Sequence, residues 1–106
     1  MSINKDAVTL LHPGGVPRLA RWRGGCECVI AMHGEPGGAT AQLMWRPNPD
    51  TCDTPVGEVM REPGRLYDFV NLPRGLLSIE LHGRTAATFL SIDAFPNPKT
   101  YIRGES

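Results

Sequence analysis

The sequence has 106 residues, of which 41% are hydrophobic and 21% charged, so it fits one ordinary globular domain and excludes disorder of the whole chain. Its 11 lysines and arginines balance its 11 aspartates and glutamates, and this formal net charge of zero disfavours a dedicated nucleic-acid binder, which usually carries a basic excess. No window approaches the roughly 20 apolar residues of a membrane span, no secretory signal is evident, and three cysteines do not make a disulfide framework. We therefore expect a protein that is made in a reducing cytoplasm and contacts no membrane.

Short strand-like runs recur along the chain, and each is closed by glycine or proline. In chain order the runs are residues 7–11, 18–22, 26–33, 39–46, 56–61, 65–72, 76–82 and 86–95. Within the fourth run Ala39, Ala41, Leu43 and Trp45 alternate with mostly polar residues, which is typical of a strand with one buried face. The sequence predicts an all-β fold, a single β-sandwich or jelly roll of about eight short antiparallel strands, and leaves the strand order open.

Both ends of the chain fall outside this pattern. Residues 1–17 are interpreted as an extended N-terminal arm and residues 96–106 as an extended C-terminal tail, on either side of a β-sandwich domain of residues 18–95. Frayed termini are the ordinary alternative, whereas apolar residues here favour arms that lie on a neighbouring subunit. The arm hypothesis predicts that a chain lacking residues 1–16 still folds but no longer binds its partner.

The strongest local pattern for metal chemistry is the pair Cys26 and Cys28, whose side chains would point the same way in a strand. A structural zinc site needs four ligands, usually in two close pairs, and the second pair is missing because Cys52 stands alone. We expect these cysteines to pack in the core and predict no metal and no cofactor. The carboxylates of Asp50, Asp53 and Glu58, on or near one loop, could hold calcium or act as acid and base. Turn formation in a proline-rich loop is favoured, and no enzyme activity is expected.

Arginines flank a tryptophan in the segment of residues 18–23. Arginine beside an aromatic residue is found in nucleic-acid sites and in protein interfaces, and the neutral net charge favours the interface. Sugar stacking on Trp22 or Tyr67 is a third interpretation, while Trp45 is expected in the core. The predicted protein-interface set comprises Leu10, Leu11, Arg18, Arg21, Trp22, Arg23, Tyr101, Ile102 and Arg103.

Residues 37–45 and 55–57, followed by residues 69–75 and 77–83, form a scheme of turns and strands. A Gly-Gly-Ala-Thr hairpin leads into a Leu-x-Trp strand, and a Leu-Pro-x-Gly turn precedes the outgoing strand. Over roughly residues 24–95 this scheme resembles the small β-sandwich capsid decoration, or cement, proteins of tailed bacteriophages.

The resemblance implies a structural virion protein on the capsid exterior, made in the cytoplasm of the bacterial host and without catalytic residues. Its implied partners are the major capsid protein, whose subunits it would clamp, and itself, as a dimer across a symmetry axis. Another head–tail or tail component remains an alternative, as does a carbohydrate- or ligand-binding β-sandwich module. A small cupin-type enzyme is a further alternative, and it would need a cluster of histidines and carboxylates around a metal.

Overall fold

The computed structural model describes residues 7–24, 27–69 and 72–97. Within these ranges the chain forms eight β-strands, and no helix there is long and apolar enough to cross a membrane. The strands are β1 (Val8–Leu11), β2 (Ala20–Trp22), β3 (Glu27–Glu35), β4 (Thr40–Arg46), β5 (Thr54–Met60), β6 (Leu66–Phe69), β7 (Gly75–His82) and β8 (Phe89–Asn97). The prediction of an all-β fold of about eight short strands is confirmed.

Two four-stranded antiparallel sheets make up the sandwich. The first sheet has the order β1-β8-β3-β6 and the second has the order β2-β7-β4-β5. The pairs β1·β8, β2·β7, β3·β6 and β4·β5 are those of one long antiparallel ribbon that turns back between β4 and β5. Wrapping this ribbon also brings β8 beside β3 and β7 beside β4, which is the topology of a jelly roll.

The core lies between the sheets and follows from the alternation of apolar and polar residues. On β4, Ala41 and Leu43 point inward and are fully buried, whereas Gln42 between them is only partly buried. The first sheet contributes Ile30 and Met32 from β3, both of which are also fully buried. Because side chains on a strand alternate between its two faces, each sheet has one apolar face to bury, and the two faces meet here.

The structure differs from the sequence interpretation at the N-terminal side of the domain. Residues 8–11, assigned above to an extended arm, form the edge strand β1 and pair with β8. Leu10 is 0% exposed and Leu11 is 2% exposed, so both lie in the core of this chain. The physical reason is that fully burying a leucine stabilises a fold by about 1.5–3 kcal/mol, which favours docking of the segment over an extended arm.

At the C-terminal side of the domain, strand β8 also extends further than expected. Pro96, assigned above to the tail, continues β8 and lies opposite Cys28 of β3. Among the described residues β1 pairs with β8 only at residues 92–94, so Pro96, which has no N–H to donate, lies beyond that pairing. Residues 98–106 lie outside the described part of the chain.

Candidate functional site

A cleft of about 610 Å³, which we call the basic cleft, opens at one end of the sandwich. Its walls are residues 7–8 at the start of β1, residues 21–23 at the end of β2, the loop residues 47–49 and residues 74–76 at the start of β7. The strand order brings these segments together, since β1 and β2 are the edge strands of the two sheets on the same side of the sandwich. The site is therefore assembled from four parts of the chain that are far apart in sequence.

Two tryptophans fix the backbone that leads to the cleft. The indole Nε1 of Trp22 donates a hydrogen bond to the carbonyl oxygen of Leu72 at 3.3 Å, and Nε1 of Trp45 donates to that of Pro73 at 3.0 Å. These two carbonyls directly precede Arg74. Buried or half-buried indoles that each satisfy their one donor in this way are well held. The position of Arg74 at the cleft is thus set by both rings.

Gly75 makes the close approach beside these rings possible. It lies opposite Trp22 in the pairing of β2 with β7. A Cβ atom at this position would lie 2.5 Å from the carbonyl oxygen of Arg46 and 2.6 Å from Nε1 of Trp45. Only glycine fits without moving the backbone that carries the cleft wall.

The wall formed by residues 47–49 is held by turn contacts and one ion pair. Asn48 Oδ1 accepts a hydrogen bond from the backbone N–H of Asp50 at 3.0 Å, and the Asn48 carbonyl accepts one from Oγ1 of Thr51 at 2.8 Å. Arg46 Nε donates to Asp53 Oδ1 at 2.8 Å, and this hydrogen bond raises the pKa of Arg46 above its ordinary value. These contacts place Asp50 in a turn, as the sequence favoured, and show that Asp53 forms an ion pair, which the sequence analysis did not predict.

The charge of the cleft is positive although the whole chain is neutral. Three arginines line it (Arg21, Arg23 and Arg74), and none of its described lining residues is acidic. Arg21 and Arg74 are exposed, and within the described ranges neither guanidinium has an ion pair or hydrogen bond. By contrast, the carboxylate of Asp53 partners Arg46, and that of Glu58 partners Arg65. Arg21 and Arg74 therefore bring to the cleft two cationic groups that no described residue neutralises.

A second surface, which we call the apolar end, lies at the opposite end of the sandwich and is defined by Val16 and Phe89. Val16 is 70% exposed and Phe89 is 58% exposed. A Cβ atom at Gly14 would lie 3.5 Å from the Phe89 ring, and Nη2 of Arg84 donates to the carbonyl oxygen of Gly15 at 2.7 Å, so the two loops of this end are joined. In the first sheet the cleft residue Val8 lies opposite Ala94, so about 17 Å of β8 separates it from Phe89.

The structure divides the residues predicted for an interface. Arg21 and Arg23 line the basic cleft, together with Trp22, which is 2% exposed. Arg18 is exposed, precedes β2 and does not line the cleft, and its Nη1 lies 3.0 Å from Nε2 of His12. The remaining predictions lie in the core or outside the described ranges, and they are Leu10 and Leu11 (core) and Tyr101, Ile102 and Arg103 (outside).

The sequence analysis missed two parts of the site, Arg74 and the wall of residues 47–49. Both were interpreted only as turns, and that interpretation is right for the local backbone. Their functional position depends on which strands become neighbours, and the spacing of strands does not contain this information. A lone arginine in a Leu-Pro-Arg-Gly turn carries no other signal.

The rings proposed for sugar stacking are not accessible. Trp22 is 2% exposed and Tyr67 is 3% exposed. The Tyr67 hydroxyl group accepts a hydrogen bond from the backbone N–H of Glu62 at 3.0 Å, which holds the ring inside the sandwich. The carbohydrate alternative therefore has neither of the two exposed rings on which it depended.

No group of three or more His, Cys, Asp or Glu residues is placed to hold a metal ion within residues 7–24, 27–69 and 72–97. Cys28 is fully buried and packs in the core, as the sequence favoured, while Cys26 lies outside the described ranges.

The two described cysteines are expected to differ in reactivity. Cys52 is exposed on the loop between β4 and β5, so iodoacetamide should alkylate it in the folded protein, whereas Cys28 should react at least about 100-fold more slowly because it must await unfolding. Peptide mapping by mass spectrometry after timed alkylation measures both rates. Equal rates at Cys28 and Cys52 would contradict the placement of β3 in the core.

The two surfaces differ in chemistry. The basic cleft offers guanidinium donors beside apolar lining residues, an arrangement that suits a ligand carrying carboxylates or other anionic groups. The apolar end offers hydrophobic contact area. No family model, no curated protein and no solved structure matches this chain.

Proposed function

We propose that this protein is a non-catalytic structural component of a virion, a decoration protein on the exterior of a tailed-bacteriophage head that binds subunits of the major capsid protein. The observation that carries the proposal is the pair of chemically different surfaces at opposite ends of one small jelly roll. A molecule with this arrangement can contact two neighbours at once. The resemblance of residues 24–95 to decoration proteins supplies the identity of the neighbours.

The energetics of such a clamp favour a small protein with modest contacts. Binding to the assembled shell and not to free subunits stabilises the shell by mass action. A molecule held by one end meets the second neighbour at high effective concentration, so two weak contacts give tight overall attachment. A single core with short loops suits this role, because a rigid spacer loses little entropy when its second end binds.

The jelly-roll fold and the neutral net charge also fit a protein whose copies occupy repeated positions on a capsid lattice. Jelly rolls recur among viral capsid proteins and lectins. With 11 positive and 11 negative side chains, copies of this chain repel one another little and can occupy adjacent positions. Self-association as a dimer across a symmetry axis remains a prediction, and the solution mass of the purified protein measures it.

The test is co-sedimentation with expanded, empty heads assembled from the major capsid protein of the genome that encodes this chain. We expect binding that saturates at a fixed ratio to the major capsid protein and raises the temperature at which the heads rupture. Separated tails from the same virion serve as the competing target, since a head–tail or tail component would bind there instead. A protein that ignores heads and tails alike would refute the virion role.

The apolar end supplies a variant for the same experiment. In the double variant Val16→Asp and Phe89→Asp we expect at least about 30-fold weaker attachment to heads, because charged groups replace the apolar contact area. Leu66→Asp is the matched control, since Leu66 is 64% exposed on the outer face of the first sheet, away from both ends. Equal binding by the double variant and the control would contradict attachment through the ends.

A further inference from the structure

The described arginines differ in whether their side chains have a partner within the chain. Arg46, Arg65 and Arg84 each have a hydrogen bond or ion pair within the chain. Arg21 and Arg74 have none among the described residues, yet they converge on one cleft from β2 and from the start of β7. Like charges that gather without internal counter-charges weaken a fold slightly, so their convergence points to an anionic ligand from outside.

A free strand edge borders the same cleft. In the second sheet β2 pairs with β7 only, and in the first sheet β1 pairs with β8 only. Their outer edges carry no other described strand, and the end of β2 and the start of β1 form two walls of the cleft. An edge strand presents unpaired backbone N–H and C=O groups that an extended peptide can pair with.

Much of the lining of the cleft is apolar. Beside the arginines it includes Val8, Trp22, Leu76, Pro47 and Pro49. The volume of about 610 Å³ lies within the range of ordinary ligand pockets. A binding site for a bare inorganic anion would need no apolar lining, whereas an extended peptide offers alternating side chains to both kinds of surface.

We propose that the basic cleft binds an extended, carboxylate-bearing segment of the shell protein, which adds as a strand to the free edge of β2 while Arg21 and Arg74 pair with its Asp or Glu side chains. This inference rests on the proposed function for the identity of the partner. Guanidinium groups match carboxylates in two-pronged hydrogen bonds, so Arg21 and Arg74 favour a segment with acidic side chains. Backbone hydrogen bonds along the strand edge contribute affinity that does not depend on the sequence of the bound segment. The arginines determine which segment binds.

The first arm of the test uses the heads described above. We expect the double variant Arg21→Glu and Arg74→Glu to bind heads about 100-fold more weakly than the wild type, because two charge-assisted contacts become repulsions. Arg61→Glu is the matched control, since Arg61 is an exposed arginine outside the cleft with no side-chain partner among the described residues. Unchanged thermal unfolding of both variants shows that the exchanged surface residues leave the fold intact.

The second arm identifies the ligand chemistry with an array of overlapping 15-residue peptides that covers the major capsid protein. Wild-type protein should bind a small set of acidic peptides, the double variant should not, and replacing Asp and Glu by Asn and Gln in those peptides should abolish binding. Double-stranded DNA and inorganic phosphate serve as competitors. Displacement of the peptides by either competitor at low millimolar concentration would overturn the assignment to a carboxylate-bearing segment.

The outcomes separate the two proposals. If the wild type binds heads and the double variant binds equally well, the cleft inference fails while the decoration function stands. If the wild type binds neither heads nor any peptide of the array, the proposed function fails and the cleft loses its partner. Loss of head binding in the double variant together with an acidic peptide signal supports both.

Discussion

Replacement of Leu10 by alanine is expected to lower the free energy of unfolding by about 3–4 kcal/mol, which is a large part of the roughly 5–15 kcal/mol available to a domain of this size. Leu10 is 0% exposed and lies in the core cluster although it belongs to a strand of only four residues at the edge of the first sheet. Truncation to alanine removes buried methyl groups and leaves a cavity that rigid neighbouring strands cannot fill. Urea unfolding monitored by tryptophan fluorescence measures the loss.

The matched control is Val16→Ala, since Val16 lies only six residues away and is 70% exposed. It should change the free energy of unfolding by less than about 0.5 kcal/mol. A small loss for Leu10→Ala, comparable to that of Val16→Ala, would mean that residues 8–11 are a detachable arm after all. The expected contrast also bears on the deletion of residues 1–16, because a chain that lacks β1 loses core leucines and cannot separate binding from folding.

The alternation of side chains was enough to predict the class of fold. In strands such as β4 and β7 every second residue is apolar, and this period exists only because a strand turns one face to the core. Strand ends were harder to place. Thr54 and Pro55 belong to β5 although their composition is that of a loop, since pairing with Trp45 and Met44 supplies the order that local preference lacks.

The segment of residues 8–11 shows why composition misjudges short edge strands. Followed by Pro-Gly-Gly, it has the local character of an extended arm, and no signal in four residues distinguishes a docked strand from a free one. Docking is decided by β8, more than 80 residues away, whose Ala94 lies opposite Val8. Long-range pairing of this kind is the part of a β fold that local sequence patterns do not carry.

Only the part of the candidate site that lies within one short segment could be predicted from the sequence. The arginine and tryptophan segment ending at residue 23 drew attention because these residue types are enriched at interfaces, and Arg21 and Arg23 do line the cleft. Arg74 comes from a turn 51 residues further along, and only the pairing of β2 with β7 brings it beside them. A net charge of zero likewise conceals a cleft whose described lining carries arginines and no acidic side chain, because composition averages over the surface.

Replacement of Gly34 by alanine is the second change with a large expected effect, a loss of about 3–5 kcal/mol in the free energy of unfolding. Gly34 lies near the end of β3 with a φ of +110°, opposite Leu90 of β8. A Cβ atom there would lie 2.2 Å from the carbonyl oxygen of Phe89, which is backbone and cannot rotate away. Since β3 and β8 are the central strands of the first sheet, the clash must displace the start of β8 and with it the Phe89 ring at the apolar end.

Gly64→Ala separates this steric effect from backbone strain. Gly64 also has a positive φ, of +82°, but a Cβ atom there would meet nothing within 4 Å, and its N–H keeps a 2.7 Å hydrogen bond to the carbonyl oxygen of Met32. The control should therefore lose only the about 1–2 kcal/mol that a left-handed conformation costs a residue with a side chain. Because Gly34 and Gly64 share the conformational penalty, the difference between their unfolding free energies measures the close approach of β3 to β8. Equal losses of unfolding free energy in the two variants would mean that the backbone of Phe89 lies further from β3. The apolar end would then lack the rigid support on which attachment through both ends depends.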